Sequence, residues 1–154
     1  HSDYHGQAVG KTHVRIVPDD AKQRAYFTGE RHGGDHSMFI TKSDGIATVA
    51  HEFGHAMETN DLVHFAAKGF LYHRVGKEAA KPMGQGYEGW EVGMDDDFGK
   101  AFSSPRYVGK FYKSRDTEII SMGMEKMLTE PVHFAKKDPE YFKFMVGVMS
   151  GTVL

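Results

Sequence analysis

His51-Glu52-Phe53-Gly54-His55 sets two imidazoles four residues apart with a carboxylate between them. On a helix this spacing puts both rings on one face, where they can reach a single ion, and leaves the glutamate beside the water that such an ion activates. Zn2+ suits these donors, and Glu52 is then the general base. The chain carries ten histidines and no cysteine. Metal chemistry here must therefore use imidazole and carboxylate, and thiol catalysis, disulfide scaffolds and cysteine-ligated zinc ribbons are excluded.

The elements that must position this motif are legible around it. After Ser43-Asp44, either of which can act as an N-cap, Ile46, Val49, Ala50, Phe53 and Met57 follow helical spacing. Their stripe centres opposite His51 and His55, so one face is expected to anchor the helix and the other to line a cleft. Gly54 costs about 1 kcal/mol in a helix interior relative to Ala, which predicts that another element approaches closely behind the site. Upstream, Thr12 to Val17, Ala25 to Gly29 and Ser37 to Thr41 read as short strands, separated by the Pro18-Asp19-Asp20 turn and the Gly33-Gly34-Asp35 loop.

Downstream, Leu62 to Ala80 reads as a second helix. Residues 81–114 are rich in glycine and aromatics and read as loops and short strands, with Asp95-Asp96-Asp97 at a turn and a hairpin or flap within the segment. Helical spacing returns from Asp116 or Thr117 to about Leu128, and again from Pro139 to Met149. Strands followed by helices predict an α+β fold, and 154 residues are expected to form a single domain.

Nineteen basic against 21 acidic side chains, a net charge of −2, argue against nucleic-acid binding. No apolar run approaches the roughly 18 to 20 residues of a membrane span, so a soluble chain is expected. The start at His1, with neither an initiator methionine nor a signal pattern, predicts an excised or processed terminal module of a larger protein.

The HExxH motif and its setting resemble the zincin superfamily of zinc metallopeptidases. The resemblance implies a small, twisted, mostly antiparallel sheet whose last, edge strand precedes the active-site helix and pairs with extended substrate. Ser37 to Thr41 is the segment that fits. It also implies a second helix bringing a third protein ligand. Glu118 is favoured, because Glu118, Ser121, Met122 and Glu125 share one helical face while Ile119, Ile120 and Met127 lie toward the other, an arrangement similar to the glutamate helix of gluzincins. Asp61 has the spacing of the aspartate-using metzincins, but Glu58 stands where that family needs a turn-forming glycine. His64 is a third candidate. Met122 keeps helical spacing and reads as core rather than as a Met-turn.

Zinc on His51, His55 and Glu118 would leave one position open, and the mechanism needs a further oxyanion donor. Tyr112 is the choice, with Tyr107, Tyr87 and His133 behind it. Asp116, Glu125 or Glu58 could orient the histidines through their second ring nitrogens. His1, His5, His13, His32, His36, His73 and His133 show no ligand spacing, and the His32 and His36 pair reads as loop surface.

Residues 115–127, with Asp138-Pro139-Glu140-Tyr141-Phe142, are also similar to small zincin-like domains at the C-termini of phage head-morphogenesis proteins and bacterial polymorphic toxins. This implies a zinc-dependent endopeptidase, secreted or delivered as a toxin or effector into a target cell, with a protein or peptide substrate and an immunity protein or parent scaffold as partner. The alternatives are a phage head-associated module with an assembly or binding role, its zinc structural, and another zinc amide hydrolase.

Overall fold

The computed structural model describes residues 12–17, 25–28, 36–75, 80–94, 98–112 and 116–152. The first sheet joins β1 (Thr12–Val17), β2 (Tyr26–Thr28) and β3 (His36–Thr41) in the order β1-β3-β2. β1 runs parallel to β3, and β2 runs antiparallel to it, with Tyr26 opposite Phe39 and Thr28 opposite Ser37. The strand that feeds the HExxH helix is thus central, not the edge strand implied by the resemblance. Hydrophobic alternation defines a strand but not its neighbours, and here β1 closes the flank that would have stayed open. The turns expected around Pro18, Gly33 and Asp95 lie outside the described residues.

Asp44 accepts a hydrogen bond from the Thr41 N–H at 2.7 Å, closing the turn from β3 into α1 (Ile46–Glu58). The cap position itself falls on Gly45, in extended backbone and with no side-chain cap bond, rather than on Ser43 or Asp44. The buried face of α1 also differs from the expected stripe. Ile46 is 63% exposed and Phe53 50%, whereas Ala50, Glu52, Gly54 and Glu58 are buried. The reason is the partner, which is another helix at close range rather than a broad apolar surface. A Cβ on Gly54 would stand 2.4 Å from the Cα of Ser121, so glycine is what lets the two backbones touch.

Next comes α2 (Asp61–Val75), with Asn60 Oδ1 accepting from the N–H groups of Leu62 and Val63 at 3.0 and 3.3 Å. It sends Val63, Ala67, Phe70, Leu71 and Val75 into the core. A second, antiparallel sheet follows, β4 (Lys81–Pro82), β5 (Val92–Met94) and β6 (Gly109–Phe111), where a single sheet was expected. Between β5 and β6 lie a 3-10 turn at Phe98–Lys100 and the short α3 (Pro105–Val108).

The chain closes with α4 (Ile119–Thr129), α5 (Pro131–Lys137) and α6 (Pro139–Ser150). Pro131 and Pro139 start their helices at positions where the missing N–H costs nothing. Asp138 caps α6 by accepting from Tyr141 N–H at 3.2 Å and receives the Arg74 guanidinium at 2.6 Å. Tyr141, Phe98, Phe134, Ile119, Ile120 and Met145 are fully enclosed at the centre of this α+β core. No helix among the described residues is long and apolar enough to cross a membrane.

Candidate metal centre

His51 and His55 project from adjacent turns of α1, their ring centroids 4.9 Å apart. Facing them is Glu118, the residue immediately ahead of α4, with a nearly fully buried side chain. Both Nε2 atoms point at the same oxygen, Glu118 Oε2, at 3.3 Å from His51 and 3.4 Å from His55. Donors bound at about 2.0 to 2.2 Å around a tetrahedral centre stand about 3.3 to 3.6 Å from one another. These separations fit such a centre, and the three donor atoms all lie within 4.8 Å of one another. His51, His55 and Glu118 could therefore hold a metal ion.

The surroundings fix each donor. Ser121 Oγ donates to Glu118 Oε2 at 2.5 Å, while Tyr107 and Tyr112 hydroxyls both donate to Oε1, Tyr107 at 3.2 Å. His51 turns its Nδ1 toward Glu125 Oε2 at 3.3 Å, which leaves Nε2 for an ion, the pairing by which carboxylates commonly orient ligating histidines.

Electrostatics follow this geometry. Burial disfavours a charged His51, but the Glu118 and Glu125 carboxylates outweigh it and hold its pKa up to about 9. Burial likewise opposes charge on Glu118, yet the His51 hydrogen bond, the nearby His55 and the Ser121 and Tyr112 hydroxyls bring its pKa down to about 2. His55 is lowered, by burial first and then by its charged neighbour His51, with Glu118 opposing. Burial and the Glu118 charge raise both Tyr107 and Tyr112, so these phenols remain donors. Without metal, the proton on His51 supplies the positive charge that the two carboxylates require.

His51, His55, Glu118, Tyr107, Tyr112 and Glu125 line a cleft of about 1190 Å³, which also takes in the buried Glu52. Tyr87 and Asp116 reach the cleft as well, whereas Asp61 and His133 do not line it. Asp61 heads α2 and belongs to no ligand group among the described residues. His64 is buried against Glu58, its Nδ1 3.1 Å from Glu58 Oε1, rather than facing His51 and His55. His36 is also buried, its ring 5.5 Å from that of Phe27, which corrects its assignment to a loop surface. His32 lies outside the described residues.

Sequence reasoning missed Lys110, buried between Glu91 at 2.7 Å and the Tyr112 ring at 4.5 Å. It also missed Ser121 as a partner of Glu118, although the three-residue helical spacing between them signals it. No family model, curated protein or solved structure matches the chain.

Proposed function

We propose that this domain is a zinc-dependent endopeptidase of the zincin kind. The observation that carries the reading is the convergence of His51, His55 and Glu118 on one point of a cleft that also contains Glu52. Zinc bound by these three side chains would supply a Lewis acid and bring the pKa of water down to about 7. Glu52 takes the proton from the water that attacks the substrate carbonyl and passes it to the departing amine nitrogen. Tyr112, with Tyr107 beside it, is the donor for the developing oxyanion, its hydroxyl turning from Glu118 Oε1 to the substrate oxygen.

Extended substrate pairs along β2 rather than β3. Ala25, Tyr26 and Phe27 border the cleft, and β2 is an end strand of its sheet. Glu52 favours catalysis over a structural zinc site, which needs no base and usually has four protein ligands. Of the settings implied by the resemblance, we carry forward a toxin or effector protease acting on proteins of a target cell.

Purified protein should hold about one equivalent of zinc, and Glu52→Ala should retain that zinc while losing roughly 10²- to 10⁴-fold in peptide hydrolysis. Full activity in this variant overturns the mechanism. A search for new peptide termini in a proteome exposed to the protein distinguishes protease from assembly module. Bound zinc with no new termini favours the structural role.

A further inference from the structure

We propose that Glu58 is a positioning residue for the metal centre, clasping Thr117 and thereby setting where Glu118 stands relative to His51 and His55. The inference rests on the reading of these three residues as metal ligands.

Glu58 ends the helix that carries both histidines, and its side chain leaves α1 toward the chain that enters α4. Its Oε1 accepts from the backbone N–H of Thr117 at 3.1 Å and from the Thr117 hydroxyl at 2.9 Å. His64 Nδ1, from α2, meets the same oxygen at 3.1 Å. Glu58, His64, Thr117 and Glu118 are all buried. Thr117 is the residue next to the ligand, so a shift of its amide carries Glu118 with it. The clasp also reaches the helix start, since Thr117 Oγ1 accepts from Ile119 N–H at 3.2 Å.

A buried polar side chain is retained only where its hydrogen bonds repay its desolvation. Here three elements spend their polar groups on one oxygen, and what they locate is the backbone beside the third ligand. Gly54 brings α1 against the backbone of Ile120 and Ser121, but that contact lies within α4 and leaves the residues ahead of the helix their own freedom. Glu58 removes that freedom. Burial raises its pKa to about 8, with the Thr117 hydrogen bonds opposing. All of the clasp's contacts are to one accepting oxygen, and glutamine can supply such an oxygen.

The test loads the full chain with Co2+, whose visible absorption reports ligand geometry, and measures affinity in parallel. Glu58→Met keeps the side chain's bulk and removes the acceptor. It should weaken Co2+ binding at least tenfold and alter the band shape and intensity, while far-UV circular dichroism stays that of the parent. Glu58→Gln should restore both affinity and spectrum to within about threefold of the parent. If Glu58→Met fails to fold, Thr117→Val, compared with Thr117→Ser, carries the test, with a loss of severalfold and a changed spectrum expected only for valine.

Parent-like affinity and spectrum in a folded Glu58→Met, or in Thr117→Val, overturn the positioning role. A Glu58→Gln variant as impaired as Glu58→Met does so too. Failure of the unsubstituted protein to bind Co2+ would overturn the metal reading itself, and this inference with it.

Discussion

Helix α4 has two unlike faces. Toward α5 and α6 it presents Ile119, Ile120 and Met124, which pack in one core with Phe134 of α5 and Tyr141 and Met145 of α6, a buried aromatic and aliphatic mass. Toward α1 it presents Ser121, with Glu118 just ahead of it and Glu125 a turn further on, to Gly54, His51 and His55. One face excludes water and supplies stability. The other brings buried charge together, which is costly unless every charge is matched. The contrast teaches that a site of this polarity is held by apolar packing on the far side of the same helix.

Four measurements break or sharpen this division. The largest effect is expected on the apolar face, where Tyr141→Ala removes a ring packed against Phe70, Phe98, Phe102 and Phe134. Denaturant titration should show a loss of about 3 to 5 kcal/mol. If stability held and only metal binding fell, the two faces would not be separable. On the polar face, Glu118→Ala should reduce zinc affinity by more than about 100-fold, beyond what outer partners contribute. Asp61→Ala should leave zinc affinity within about twofold and stability within about 0.5 kcal/mol. The reverse order would give the third ligand to Asp61.

Gly54→Ala tests the seam itself. Its Cβ would meet backbone atoms of Ser121, so a cost of about 1 to 3 kcal/mol is expected together with weaker zinc binding, because α1 must move away from Glu118. A neutral outcome would mean that the helices can part without disturbing the donors.

The last measurement is the pH dependence of the metal-free protein. Glu118 releases its proton near pH 2 when folded and near 4.5 when unfolded, so its contribution is full above pH 4.5 and disappears as pH falls toward 2. Glu58 and His51 have raised pKa values and hold protons that the unfolded chain gives up. Stability should therefore fall with rising pH, from 4.5 to about 8 for Glu58 and from 6.5 to about 9 for His51. His55, lowered by burial, works the opposite way and favours the fold as pH rises toward 6.5, so unfolding curves should show stability lost in acid and again above about pH 6.5. Zinc binding should run the other way, its apparent affinity rising by about tenfold per pH unit up to about pH 9 as the His51 proton is displaced. A flat profile would show that His51 is not held between two carboxylates.

The polar face was the more legible of the two in the sequence. HExxH spacing identified the pair on α1, helical spacing put Glu118, Ser121 and Glu125 on one side of α4, and Gly54 signalled a close neighbour. The misreadings have a common cause. Apolar periodicity assumes that the most hydrophobic stripe is buried, yet α1 buries Ala50, Gly54 and Glu58 because its neighbour is a helix at contact distance, leaving Ile46 and Phe53 exposed. Strand order was equally invisible, since β1 and β3 pair across a long interval that no local pattern encodes. α5 escaped notice because its seven residues are too few for periodicity, although Pro131 marks its start.

The contact between Gly54 and Ser121 has a further consequence, for the choice of ion. The close contact holds α1 against α4, and together with the Glu58 clasp on Thr117 it would place the three proposed donors when the chain folds rather than when an ion arrives. Such a cage discriminates by shape. By intrinsic affinity copper would outcompete zinc, but copper(II) favours a tetragonal arrangement to which touching helices do not yield. On the zinc reading, part of the selectivity for zinc or cobalt over copper would then originate at a residue with no side chain at all.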